Sequence, residues 1–232
     1  MTTDGREFLT WLAEWTADLP ALPLQDLVSD PRRVAILSVD LVKGFCCEGP
    51  LASPRVAAII PAAVSLFERA HALGVRNFLL SQDTHDPDAL EFSAYAPHAV
   101  AGSSESETVE ELKALPFADE FVIFEKNSIS TSIGTDLIPW MEAHSEVRAV
   151  IIVGDCTDLC VYQAAMDLRL RANVGGRHDF RVIVPANCVQ TYDLPVSAAL
   201  PLGILPHAGD LLHQIFLYSM ALNGVEVVAR LN

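Results

Sequence analysis

The chain has 232 residues, of which 51% are hydrophobic and 19% charged: enough apolar mass for one large core, and too little charge for a disordered chain. Thirty acidic residues against fifteen Lys and Arg give a net charge of −15, which repels phosphate backbones and anionic lipid, so no nucleic-acid or membrane partner is expected. The five cysteines are odd in number in a chain too large to need stapling, and they read as a reduced, cytoplasmic thiol set.

In chain order, residues 1–30 read as an N-terminal helical extension and residues 31–232 as a single domain. Over the first eighteen residues Phe8, Leu9, Leu12 and Trp15 form an apolar stripe, suited to packing on the domain or on a second copy. Asp4, Glu7, Glu14 and Asp18 in the same stretch do not fit a signal peptide, and no apolar run reaches membrane-spanning length. A buried strand is predicted over 34–40, then a helix over 55–73 with Ser53 as cap, Pro54 in the first turn and Gly74 as the stop. A strand over 77–81, an irregular stretch over 83–104 and a helix over 105–114 follow. The remainder alternates: strand 120–125, helix 136–143, strand 149–153, helix 159–172, strand 181–185, helix 208–222 and strand 225–229. Six strands alternating with helices predict a doubly wound, mainly parallel α/β sheet with helices on both faces, a Rossmann-like three-layer fold.

Functional side chains in such sheets gather beyond the carboxyl ends of the strands. Here those ends carry Asp40, then Asp83 and His85, then Lys126, then the stretch Gly154 to Cys160. Asp40 and Lys126 each end an otherwise apolar strand, a costly place for a charge without a partner. Cys160 opens a helix, where the positive end of the dipole and a nearby ammonium lower a thiol's pKa. An acid, a cation and a thiol together make an activated nucleophile with a proton shuttle. Asp83-x-His85 with His98 offers imidazole and carboxylate donors suited to zinc, manganese or iron, with Glu91 in the same loop as a further donor. His71, His144, His178, His207 and His213 show no convergent partners in the sequence. The pair Cys156 and Cys160 is also open to a thiol-redox or metal-clip reading, although it lacks C-x₂-C spacing. There is no GxGxxG, GxxxxGK[ST] or GxSxG, which argues against a nucleotide cofactor and a serine nucleophile.

VDLVKGFC (39–46), QDTHDPD (82–88), PHAVAGSSESE (97–107), FEK (124–126), VGDCTDLCV (153–161) and TYDLP (191–195) together resemble the isochorismatase-like cysteine hydrolases over about residues 33–230, and within them the plant-type nicotinamidases. The resemblance implies Cys160 as nucleophile, Asp40 as proton shuttle and Lys126 as the cation that steadies both. It implies an oxyanion hole from the backbone N–H groups of Cys156 and Cys160, a cis peptide between Asp155 and Cys156, and Phe45 packed on the substrate ring. It further implies a divalent metal on Asp83, His85 and His98, a small amide such as nicotinamide as substrate, and assembly into a homo-oligomer. Three places depart from the pattern: Asp155 replaces an apolar residue, Asn127 and Ser128 stand where an acid is usual, and Leu90, Phe92 and Tyr95 stand where a ring-stacking tryptophan is common. A related hydrolase of another amide or ureido compound, and a non-catalytic thiol protein on the same scaffold, are the alternatives.

Overall fold

Residues 4–232 are described by the structure, a computed structural model; the first three residues of the predicted extension lie outside the described residues. The chain runs α1 (Gly5–Ala17), β1 (Ala21–Leu22), α2 (Leu24–Leu27), β2 (Val34–Val39), α3 (Lys43–Cys46), α4 (Pro54–Ala57), α5 (Ile60–Ala72) and β3 (Asn77–Asp83). It continues through α6 (Glu110–Lys113), β4 (Val122–Lys126), α7 (Leu137–Ala143), β5 (Ala149–Asp155), α8 (Cys160–Val174), β6 (Arg181–Pro185) and β7 (Val189–Gln190). It closes with α9 (Val196–Ala199), α10 (Gly209–Leu222), β8 (Glu226–Val228) and β9 (Arg230–Leu231).

β2 is buried at all six positions and β5 at all seven, as strands covered on both faces require. The main sheet runs β4-β3-β2-β5-β6-β8, every pair parallel, and the short β7 adds a seventh strand beside the end of β5. The fold is the predicted three-layer α/β architecture. Alternate strand residues feed two cores. One takes Ile36, Phe78 and Ile151 with Leu66 and Phe67 of α5; the other takes Leu37, Leu79 and Ile152 with Val161 and Leu168 of α8 and Leu217 of α10. Each such fully buried side chain contributes about 1.5–3 kcal/mol of apolar transfer.

Three of the local differences from prediction have a visible reason. The helix expected over 55–73 is two helices, α4 and α5, because Pro61 in the first turn of α5 lacks an N–H and crowds the preceding turn. The helix expected over 105–114 shrinks to a 3₁₀ turn at Ser104–Ser106 and α6. Between them the chain is extended: Thr108 bridges Val42, and Lys43 N–H donates to Glu107 O at 2.9 Å. Finally, Ala118–Glu120 form a 3₁₀ turn that delays β4 by two residues.

On α1, Leu12 is fully buried, and Phe8, Trp11 and Trp15 set their rings against Tyr218 of α10 at 5.4, 5.6 and 5.9 Å. Positions 8, 11, 12 and 15 share one helical face; Leu9 turns off it and is 44% exposed. From residue 21 onward the chain is tied into the body: β1 pairs with β9, and Leu24 and Leu27 join the first core. Among the described residues, no helix is long and apolar enough to cross a membrane.

Candidate active site

After β2 the chain builds β3 and β4 to one side, then returns at β5 to build β6 and β8 on the other. The switch point therefore lies between β2 and β5, where a parallel sheet opens a crevice beyond its strand ends. Val39 and Gly154 are register partners at this point, and Gly154 sits at φ 115°. A Cβ there would come within 1.8 Å of the Val39 carbonyl oxygen, so only glycine lets β5 approach this closely.

Asp40, the next residue after β2, adopts φ 54°, a left-handed conformation that costs a non-glycine residue about 1–2 kcal/mol. The surroundings hold it there. Its N–H donates to Ser81 O at 2.9 Å, and its Oδ1 accepts the Asp83 N–H at 2.8 Å. Lys126 is the register partner of Asp83, and its ammonium is enclosed on several sides. Nζ lies 2.5 Å from Asp83 Oδ1, 2.8 Å from Asp40 Oδ2, 3.2 Å from Ser128 O and 3.6 Å from Cys160 Sγ. Asp40 Oδ2 meets Lys126 as an ion pair without hydrogen-bond alignment, and among the described residues no aligned donor occupies it.

The electrostatics follow from burial and these neighbours. Burial pushes the Asp40 carboxyl up, Asp83's charge adds to it and Lys126 opposes both, leaving Asp40 at about 6. Burial would strip the proton from Lys126, but the carboxylates of Asp40 and Asp83 hold its pKa well above the ordinary value. Cys160 differs from the expectation drawn from its helix position. Burial raises the thiol well above its usual range, Lys126 only partly offsets this, and the two carboxylates push the same way as burial. Its resting form is the thiol, and a base is needed to ionise it.

Asp83, His85 and His98 bring donor atoms within 4.8 Å of one another, all buried. His98 reaches the cluster because the 83–104 stretch doubles back: His85 N–H donates to Ala99 O and Ala101 N–H to His85 O, both at 2.9 Å. His85 Nδ1 lies 3.0 Å from Asn127 Oδ1, and His98 Nδ1 lies 2.8 Å from Ala96 O. Each partner accepts, so each Nδ1 carries the proton and each Nε2 presents its lone pair toward Asp83, at 3.4 and 3.9 Å. His85 Nε2 is buried with no partner among the described residues. One carboxylate and two imidazoles with open lone pairs fit a divalent transition metal. Glu91 stands outside this ligand set. Asp40, Asp83 and Cys160 also lie close together, but Lys126 already stands among them as their cation.

The Asp155–Cys156 peptide is cis. Cys160 is the first residue of α8, so its N–H is among those that a helix leaves free at its start. Phe45, Phe92 and Tyr95 stand around His98 with ring centroids at 5.4, 5.6 and 6.2 Å, an aromatic wall beside the ligand cluster. Leu90 plays no part in it, being 92% exposed.

Two of the histidines without partners in the sequence pair beside the candidate site. His207 Nε2 meets Asp158 Oδ2 at 2.8 Å, and His213 Nδ1 meets Thr157 Oγ1 at 2.9 Å, so both hold the turn between Cys156 and Cys160. The partners lie 49 and 56 positions away, beyond the reach of any local spacing rule. Asn127 was visible only as a departure from a pattern. It accepts from His85 and the Asp86 N–H and donates to Asp86 Oδ2 at 2.8 Å, fixing the imidazole's direction.

A buried acid, ammonium and thiol thus meet at the switch point of a parallel sheet, with a carboxylate–imidazole cluster alongside. Residues 34–228 match the isochorismatase domain, and the chain belongs to the isochorismatase family of hydrolases. It is 28% identical to Nicotinamidase 1 of Arabidopsis thaliana, with 86% of each chain covered. Among solved structures, the pyrazinamidase of Pyrococcus horikoshii in complex with zinc superposes with a TM-score of 0.66 at 21% identity, covering 84% of this chain and 98% of that one. The N-carbamoylsarcosine amidase of Thermoplasma acidophilum gives 0.64 at 22% identity, covering 84% and 95%.

Proposed function

We propose that the chain is a cysteine amidohydrolase that converts a small planar amide, nicotinamide in the first instance, to its acid and ammonia. The observation that carries this is one ammonium, Lys126, within 3.6 Å of a carboxylate that can take a proton and a thiol that must lose one. Asp40 Oδ2 removes the Cys160 proton, and the thiolate attacks the amide carbonyl. The backbone N–H groups of Cys156 and Cys160 receive the developing oxyanion, the kind of preorganised donor pair that dominates acyl-transfer rates. Asp40 then protonates the leaving nitrogen, ammonia departs, and a thioester remains on Cys160. Asp40 takes a proton from water, the hydroxide attacks the thioester carbonyl and expels the thiolate as the free acid forms, and Asp40 returns the proton to Cys160, so that carboxylate and thiol are restored. Lys126 keeps the net charge of Asp40 and Cys160 balanced as the proton moves between them.

Asp83, His85 and His98 would hold a divalent metal, zinc before manganese or iron. When bound, it would supply a Lewis-acid anchor for a ring nitrogen, setting the amide at the thiol. The relatives support this reading: one is named a nicotinamidase, and another is a pyrazinamidase seen with zinc. Ammonia release from a panel of amides tests it. Nicotinamide is expected to react and to stop reacting in Cys160→Ala, and no release from any amide would defeat the proposal. Metal binding is tested without turnover. His98→Ala is expected to weaken zinc affinity in calorimetry by at least roughly 100-fold, and Asn127→Ala by roughly 10- to 100-fold, the range for removing an outer partner of a ligating imidazole. Unchanged affinity in both would dismiss the ligand set.

A second reading is a ureido or other non-ring amide, favoured by the polar side chain of Asp155 beside the proposed oxyanion hole. A redox pair is not favoured. The Cys156 thiol faces Asp155 Oδ2 at 3.5 Å, while Lys126 and Asp40 serve Cys160 alone.

A further inference from the structure

Asp155 is the last residue of β5, and its side chain alternates onto the face of Ile151 and Val153, the face that also carries Phe45 and Cys46. It immediately precedes Cys156, whose N–H faces the scissile carbonyl in the proposed reaction. The carboxyl is 1% exposed, and no salt bridge reaches it among the described residues. The nearby ammonium, Lys126, is committed to Asp40 and Asp83. Oδ2 accepts the Cys156 thiol at 3.5 Å; Oδ1 is buried and has no partner among the described residues.

A buried polar atom without a partner is a standing cost that a valine or isoleucine in the same volume would not incur. A buried carboxyl without a cation stays protonated. Burial pushes Asp155 well above the carboxylate range, and the charge of Asp40 pushes it further. With Oδ2 already accepting, the proton belongs on Oδ1, which leaves one free O–H donor on the residue that immediately precedes Cys156. The neutral form also spares the developing oxyanion a neighbouring negative charge.

We infer that Asp155 is a specificity-determining hydrogen-bond donor of the substrate pocket, selecting small amides that carry an acceptor on the atom next to the carboxamide-bearing carbon. This rests on the amidohydrolase reading. A pocket with a buried donor discriminates against ligands that leave the donor unpaired. Nicotinamide has C–H on both flanking atoms; pyrazinamide has a nitrogen lone pair on one of them and is otherwise the same shape.

The test is the ratio of kcat/KM for pyrazinamide over nicotinamide, by ammonia release, in the wild type, Asp155→Asn and Asp155→Val. Intrinsic reactivity differs between the two amides but cancels between variants. Asp155→Val is expected to lower the ratio by roughly tenfold, the worth of one hydrogen bond, while Asp155→Asn, which keeps an N–H in the same place, retains most of it. A ratio equal in wild type and Asp155→Val would overturn the inference. The same ratio is read from calorimetric binding of both amides to Cys160→Ala and to Cys160→Ala with Asp155→Asn or Asp155→Val, so it does not depend on turnover. If neither amide is hydrolysed yet the binding ratio follows Asp155, the donor stands and the amidohydrolase reading falls. If neither ratio follows Asp155, the donor assignment falls, whether or not ammonia is released.

Discussion

Cys160→Ala is expected to lower kcat for amide hydrolysis on the order of 10⁵-fold, the scale on which removing a covalent nucleophile leaves only binding and the oxyanion hole at work. The structure makes the variant informative because little else changes. The Sγ of Cys160 is one neighbour of Lys126 among several, so its removal leaves the ammonium still paired with Asp40 and Asp83. The fold should survive the loss of one buried sulfur, and a thermal melt within a few degrees of wild type checks that. Cys156→Ala is the matched control. Its thiol donates to Asp155 Oδ2, while its proposed role in the reaction uses the backbone N–H, which alanine keeps. Its loss in kcat is expected to stay within about tenfold, the effect of one hydrogen bond on a neighbouring group. Equal losses in the two variants would remove the distinction between the cysteines; full activity in Cys160→Ala would remove the mechanism.

Asp40 and Lys126 can be singled out from the sequence, because a parallel sheet writes its architecture plainly. β2 and β5 are apolar throughout since both faces are covered, so a charge at a strand end stands out as a cost needing a reason. Asp40 and Lys126 stand out in that way, and topology explains why separate strand ends meet at the β2–β5 switch point. What stayed hidden depends on burial or on distant pairing. The thiol of Cys160 was expected to be acidic from its helix position, but the dipole and Lys126 are outweighed by a desolvation no sequence displays. His207 and His213 reach the turn between Cys156 and Cys160 from the far end of the chain, through contacts that periodicity does not encode. Asn127 and Asp155 were legible as departures, yet departure alone does not say what a side chain does. One orients His85, and the other has an oxygen without a partner among the described residues; both depend on how the chain packs. The break of the 55–73 helix was the opposite case, since Pro61 was in view and its missing N–H was sufficient reason.

Asp40→Asn is expected to cost on the order of 10³-fold in kcat/KM, because the same carboxyl must accept from the thiol, donate to the leaving nitrogen and accept from water. The amide keeps an oxygen to accept the Asp83 N–H but turns its own N–H groups toward Lys126, so a lower melting temperature accompanies the loss. The wild-type pH profile carries the same assignment with a definite sign. Asp40 works only when ionised, and burial together with Asp83 raises its pKa to about 6. Below that pH the base is already protonated, so kcat/KM is expected to fall as pH drops through about 6 and to be level above it. Lys126→Met removes the charge that opposes this rise, so the acid limb should move to higher pH in whatever activity remains. It also leaves Asp40 and Asp83 facing each other without their cation, a change worth about 3–5 kcal/mol against folding for a buried pair broken on one side. A limb that stays in place in Lys126→Met would mean that Asp40 is not the titrating base, since no other cation lies within ion-pair distance of its carboxyl among the described residues.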